Sequence, residues 1–415
     1  VTEQSETDAV ARFEDSHDAV HAITDRDEYL AAVESLRTGH GPVAVDAERA
    51  SGYRYSQRAY LIQVFRRGSG VFLFDPIAIG SFAELQEAIG HVEWVFHAAS
   101  QDLPCLAEVG LVPDTIFDTE LGARLAGLPR VGLGAVVETL LGIHLAKEHS
   151  AADWSTRPLP QSWLVYAALD VELLVDVRDA MYDRLAAADK LRIATEEFAA
   201  VLVRRPKPPK AEPWRKLSGM HALRGQRGLA IARSLWLARD AYAQETDIAP
   251  GRTIPDSAIV AAAAANPASR NELAAVKGFT GRASRSELSR WWAAVEEGRT
   301  TTDLPSARGV GEPTLPPARA WADRNPPADR RYRAARAAVT KRAEELDLPV
   351  ENLLTPDTLR MVAWAPPATI TPLSVAEALA ALDARGWQLE ETAVIIAEAF
   401  VAASQEPAPD AAPES

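Results

Sequence analysis

Between Pro42 and His97 the chain carries four short apolar runs whose spacing leaves little choice of fold. Three of them, near Pro42–Glu48, Ala59–Phe65 and Val71–Phe74, follow one another without an intervening helical pattern, as strands joined by turns do. A helix-like stretch near Phe82–Ile89 then leads to a fourth run near Val92–His97. Successive strands followed by strand and helix alternation predict an α/β domain built on a mixed sheet. Further helices are expected near Asp25–Leu36, Leu103–Glu108, Asp118–Leu125 and Leu133–Leu141, with one long helix over Gln161–Ala188. Together they would flank the sheet on both faces.

The rest of the chain is punctuated by proline. Four prolines and four cations between Arg204 and Pro213 cannot continue a helix, because each proline lacks an amide donor and fixes its own φ. The expected order is therefore a loose acidic arm over 1–22, an α/β domain over 23–203 and a linker over 204–213. An all-helical module over 214–299, a Pro/Gly-rich linker over 300–327, a second helical module over 328–403 and a disordered tail over 404–415 complete it. The two modules echo each other about one hundred residues apart: Asp247-Ile-Ala-Pro250 recurs as Asp347-Leu-Pro349, and Ile254-Pro-Asp-Ser257 as Thr355-Pro-Asp-Thr358. In each copy the proline is read as the first helical residue, where its missing N–H costs nothing. A degenerate duplication of one module is the reading; chance likeness of Pro-Asp helix starts is the alternative.

At 415 residues and 47% hydrophobic content the chain can bury several cores. Cys105 is the lone cysteine, which excludes an internal disulfide and cysteine-based metal clusters and suits a reducing compartment. The longest uncharged apolar run, Ala258–Ala265, is far short of the roughly 18 residues of a membrane span, and the acidic beginning lacks a secretory pattern. A cytoplasmic protein is expected. The net charge of −14 hides an asymmetry: residues 204–299 hold 17 basic and 9 acidic side chains, whereas residues 1–203 hold 16 and 32. A cationic block between acidic ones suits a nucleic-acid partner, and a solvated Arg-rich helix surface is the plainer reading. Lys216, Arg224, Arg227, Arg233 and Lys277 are its candidate contacts.

Three acidic patterns in the first domain carry chemistry. Asp46 and Glu48 lie two apart in an apolar strand and so point to one face. Two ionised acids side by side in apolar surroundings call for a divalent cation, unless the strand ends at Val45 and both meet solvent. Asp102 enters a helix just after the fourth apolar run, where it is either an N-cap or a site residue at a strand end. His97, at the end of that run, is either a ligand or a histidine satisfied by backbone. Tyr166 and Asp170 share a helix face one turn apart.

In this order Asp46-x-Glu48, His97-Ala-Ala followed by Asp102, and Tyr166-x-x-x-Asp170 resemble the three motifs of the DEDD exonucleases in their tyrosine-containing subgroup. Tyr60-Leu-Ile-Gln-Val64, Phe117-Asp-Thr119, Asp153-Trp-Ser-Thr-Arg-Pro-Leu159 and Tyr166-Ala-Ala-Leu-Asp-Val171 sharpen the likeness to ribonuclease D, over roughly residues 22–200. The cationic module resembles an HRDC domain through Leu235-Trp-Leu-Ala-Arg-Asp-Ala241 and Ile254-Pro-Asp256, and residues 328–403 look like a divergent second copy. The resemblance implies a ribonuclease-H-like fold and a 3′-to-5′ exoribonuclease that trims single-stranded 3′ ends of RNA, transfer-RNA precursors among them. Two divalent ions, Mg²⁺ or Mn²⁺, about 3.5–4 Å apart would serve such chemistry. The resemblance assigns Asp46 to both ions, Glu48 and Asp170 to the one that activates water, Asp102 to the other, and Tyr166 to orienting the water. No membrane and no obligate protein partner is implied. A DNA exonuclease, or an inactive binding protein that keeps the fold, are the competing readings.

Overall fold

The computed structural model describes residues 20–145, 152–204, 211–223, 225–307 and 315–405. The nuclease-like domain opens with β1 (Ala22–Ile23), α1 (Arg26–Thr38), β2 (His40–Arg49), β3 (Ala59–Arg67) and β4 (Gly70–Phe74). There follow α2 (Pro76–Ile79), α3 (Ala83–Ile89), β5 (Glu93–Phe96), α4 (Leu103–Glu108), β6 (Thr115–Asp118), α5 (Thr119–Leu125) and α6 (Leu133–Leu141). Three helices close the domain: α7 (Gln161–Glu172), α8 (Leu174–Ala187) and α9 (Leu191–Val203). The six strands form one mixed sheet in the order β1-β4-β3-β2-β5-β6, antiparallel across β2/β3/β4 and parallel elsewhere, as the pattern of the sequence implies.

Strand alternation sorts the core. Val43, Val45, Ile62, Val64 and Phe74 meet α1 and α3, where Tyr29, Phe74 and Phe82 pack edge to face at 5.5–6.0 Å. On the other face Leu61 and Leu73 meet Leu164, Ala167 and Ala168 of α7, and Ala44 and Val95 meet Val171, Leu174 and Val175. This second face also carries Asp46 and Glu48 of β2.

Several expected boundaries need correction. The single long helix over Gln161–Ala188 is broken: the Leu173 N–H turns to the Val171 carbonyl instead of continuing the i to i−4 ladder, and α8 restarts at Leu174. The arm is shorter than expected, because Ala22 and Ile23 pair with Leu73 and Phe74 as an edge strand too short to show periodicity; residues 1–19 lie outside the described residues. The second linker ends early, since Trp321 is fully buried and its indole donates to the Pro316 carbonyl. At the other end Ser404 and Gln405 finish a helix, and the remainder of the expected tail lies outside the described residues.

The first module comprises α10 (Gly225–Thr246), α11 (Pro250–Thr253), α12 (Asp256–Ala265), α13 (Arg270–Ala275), α14 (Arg282–Ser286) and α15 (Leu288–Thr300). Here Pro255 is the cap residue and Asp256 the first helical one, a shift of one position from the expectation. The buried Arg239 of α10 donates to the Ile254 carbonyl and the Asp256 carboxylate at 2.7 Å, tying that helix start to α10. The second module has α16 (Trp321–Arg324), α17 (Pro326–Glu345), α18 (Val350–Leu353), α19 (Pro356–Trp364), α20 (Pro372–Ala380) and α21 (Gly386–Gln405). In both modules a long first helix packs along the last, and a four-residue turn of helix follows a left-handed aspartate, Asp247 or Asp347.

Candidate active site

Strand β2 and helix α7 bring the acids together. Asp46, Glu48 and Asp170 each offer a carboxylate oxygen, and these oxygens all lie within 4.8 Å of one another. Each of the three is half-buried in a cleft of about 740 Å³, which Asp102, Tyr166 and His97 also line. The reading in which the strand ends at Val45 is excluded: β2 runs to Arg49, with Asp46 opposite Gln63 and Glu48 opposite Leu61.

Asp102 stands at the N-cap position of α4, yet its side chain makes no capping hydrogen bond. It is 5% exposed and feels the charge of Asp46. The capping work in this corner is done by Asp118, whose carboxylate accepts from the N–H groups of Glu120 and Leu121 at the start of α5 and from those of Ala98 and Ala99. Ala98 has φ 70°, a left-handed conformation that a non-glycine residue adopts only when its surroundings hold it there. Next to it the Thr119 hydroxyl donates to the Phe96 carbonyl and lies 2.9 Å from His97 Nδ1. Phe117-Asp118-Thr119 thus shapes the turn that presents Asp102.

The stretch Asp153–Leu159 serves α7 in the same way. Arg157 donates to the Asp75 carboxylate at 2.6 Å, to the Tyr60 carbonyl of β3 and to the Trp154 carbonyl, and the Trp154 ring is fully buried. It anchors the segment from which α7 carries Tyr166 and Asp170 into the cleft. The Tyr166 hydroxyl hydrogen-bonds Asp170, as the four-residue spacing requires.

Electrostatically the cluster cannot hold four charges unaided. Burial, then the charges of Asp46, Asp170 and Asp102, pushes Glu48 up to about 10. Burial likewise holds Asp46, Asp102 and Asp170 above the ordinary carboxylate range, with Asp46 adding to the rise in the last two. Tyr166 is raised by burial and by Asp170. Burial pushes His97 down to about 4, so the imidazole is neutral near pH 7 and is no cation for phosphate. Cys105 is buried, donates to the Asp102 carbonyl and is pushed up to about 12, which makes it an inert thiol. Carboxylates without cysteine or a charged histidine are the donors that hard divalent ions prefer.

The sequence reading missed two residues beside the cleft. Arg49 is the one arginine among the described lining residues, and its charge lowers Asp46, Glu48 and Asp102. Arg252 comes from the first module: its guanidinium lies 3.8 Å from the Tyr53 ring centroid and donates to the Gly52 carbonyl, and both Gly52 and Tyr53 line the cleft. Neither has a local motif, because each becomes significant only through tertiary placement. Of the candidate nucleic-acid contacts, Lys216 and Lys277 are exposed. Arg227 is spent on the carbonyls of Gly298 and Thr301, and Arg233 on Asp303, so both close the end of α15. Arg224 lies outside the described residues.

Comparison with known proteins places this arrangement in a class. Residues 20–186 match the family model of a 3′-5′ exonuclease, residues 228–295 that of an HRDC domain, and residues 314–400 that of a 3′ to 5′ exonuclease C-terminal domain. The second module therefore matches a model of its own. A structure of a protein from Bifidobacterium adolescentis superposes with TM-score 0.86 at 34% identity, covering 92% of this chain and 97% of that one. Escherichia coli RNase D, described as an exoribonuclease involved in structured RNA processing, superposes with TM-score 0.63 at 26% identity over 88% of this chain and 98% of that one. The ribonuclease D of Cronobacter turicensis is 30% identical over 256 residues, 60% of this chain and 69% of that protein. The chain belongs to the ribonuclease D family. It spans 54–66% of the length of three further ribonucleases D that it matches at 34% identity.

Proposed function

We propose that the protein is a metal-dependent 3′-to-5′ exoribonuclease of the ribonuclease D type. The observation that carries this is the convergence of Asp46, Glu48 and Asp170 within 4.8 Å, beside an Asp102 that has no capping duty. Four acids held above their ordinary range fit a pair of hard cations, Mg²⁺ or Mn²⁺. Asp46 would touch both, Glu48 and Asp170 one, and Asp102 the other. When bound, such ions neutralise the phosphate and make water a nucleophile near neutral pH. The Tyr166 hydroxyl, tied to Asp170, orients that water. Arg49 faces the phosphate from the cleft wall, and the neutral His97 leaves the cation sites to the carboxylates.

The substrate is RNA with a single-stranded 3′ end, transfer-RNA precursors included, as the family resemblance implies; the description of the E. coli relative supports structured RNA as the class. The exposed Lys216 and Lys277 of the first module add salt-sensitive affinity. Residues 315–405 are a divergent copy of that module. The enzyme works in the cytoplasm without an obligate protein partner; among the described residues no helix is long and apolar enough to cross a membrane.

Matched 5′-labelled RNA and DNA oligomers, incubated with Mg²⁺, Mn²⁺ or chelator, test the proposal. Stepwise shortening of RNA from the 3′ end, abolished by chelator, is expected. Faster loss of DNA than RNA would make it a DNA exonuclease, and retained binding without any shortening would make it an inactive binding protein.

A further inference from the structure

Gln63, in the middle of β3, is fully buried, and neither Nε2 nor Oε1 of its side chain meets a hydrogen-bond partner among the described residues. A buried amide left unpaired destabilises the fold, a cost that a leucine of similar volume would avoid. Its neighbours on that face give it no partner: Leu61 and Phe65 stand two places away in β3, and Leu73 lies opposite in β4. Helix α7 covers the face with Ala167 and Ala168.

The residue opposite in β2 is different. Asp46 lies directly across the ladder from Gln63. Opposed side chains of an antiparallel pair share a face with Cβ atoms about 4.5–5.5 Å apart, a separation that a glutamine amide spans. An ionised carboxylate is the strongest acceptor such an amide can find, and the bond is worth more than one between neutral groups.

We infer that Gln63 is a positioning residue for Asp46: directly across the ladder, its otherwise unpaired Nε2–H group donates to the Asp46 carboxylate when the cation site is filled, fixing which oxygen faces the cleft. The inference rests on the metal-dependent reading above. Gln63 touches neither substrate nor cation; it acts through Asp46. Hydrogen-bond partners standing behind metal ligands typically contribute about 10–100-fold to metal affinity.

Mn²⁺ binding to the 415-residue chain, followed by electron paramagnetic resonance of the free ion without RNA, tests this with Gln63→Leu and Gln63→Met. Both remove the amide at similar volume. Both should bind Mn²⁺ about 10-fold or more weakly while keeping or raising the metal-free melting temperature. Affinity within twofold of wild type in Gln63→Leu or Gln63→Met would overturn the inference, and so would an affinity loss that tracks a fall in melting temperature. If the wild-type protein itself takes up no Mn²⁺, the metal-dependent reading fails instead, and the two failures are told apart.

Discussion

Asp247 and Asp347 stand at matching corners of the two helical modules, with φ of 51° and 50°, and each corner is set against the nuclease domain. Their surroundings there are unlike. Asp347 offers its carbonyl to the buried Lys190 ammonium, which also reaches the Leu125 carbonyl, and its carboxylate crowds Gly127, where a Cβ would come within 2.6 Å of Oδ2. Nearby, Glu197 takes Arg385 in two bonds of 2.6 and 2.8 Å and the Trp387 indole in a third. None of these residues lines the cleft. Asp247 accepts from the Ser56 N–H and Arg58, in the loop between β2 and β3, and from the Tyr60 hydroxyl at the start of β3, while Ala249 donates to the Tyr53 carbonyl. Gly52 and Tyr53 of that loop are cleft wall. One module is fastened to the scaffold and the other to the wall of the candidate active site, so equal losses of stability should have unequal effects on the proposed reaction.

The largest stability effect belongs to the scaffold side. Glu197→Ala leaves Arg385 and the Trp387 indole without their acceptor, and removal of one partner from a buried pair costs about 3 kcal/mol. Thermal or urea unfolding should show that loss, with cleavage of a three-nucleotide RNA unchanged within twofold; a tenfold fall in its rate would erase the contrast. On the cleft side Asp247→Ala removes three hydrogen bonds at a partly exposed site, about 1–2 kcal/mol of docking. Although smaller in stability, it should lower kcat/KM about tenfold, because Gly52 and Tyr53 lose their support. An unchanged kcat/KM would return the first module to a mere tether.

A third test reports on the cleft alone. Glu48 is pushed up to about 10 from 4.5, so its contribution to metal-free stability is complete below about pH 4.5 and is lost as pH rises toward 10. Glu48→Gln should therefore raise the metal-free melting temperature at pH 8 by about 3 °C, with a smaller gain at pH 5, and remove stabilisation by Mg²⁺. Equal differences at the two pH values would contradict the electrostatic account. The smallest effect is that of Arg252→Lys, which keeps the charge but loses the planar stack on Tyr53. KM should rise about threefold with kcat unchanged, and a fall in kcat alone would show that Arg252 does not act in binding.

Much of this was legible in the sequence because it is local. Asp46 and Glu48 share a face through the two-residue period of a strand, Tyr166 and Asp170 through the turn of a helix, and the Asp247/Asp347 echo marks two corners that the structure also shows. What was not legible depends on partners far along the chain. In the sequence Asp118 is only the first residue of an expected helix, and its hold on Ala98 and Ala99 appears only once β5 and β6 are side by side. The break at Leu173 carries no proline or glycine to announce it. Arg227 and Arg233 read as free cations until the end of α15 is seen to occupy them. Gln63 is a single polar letter in an apolar strand, and only the ladder register sets it against Asp46.

The claim on which the rest depends is that these acids, once loaded with divalent cations, cut RNA from its 3′ end. The rate of 5′-mononucleotide release from an RNA oligomer by Asp46→Asn, with circular dichroism checked against wild type, tests it most directly. A loss of at least about 1,000-fold with the fold intact is predicted, in line with removal of a group essential to charge stabilisation; release within tenfold of wild type would contradict it.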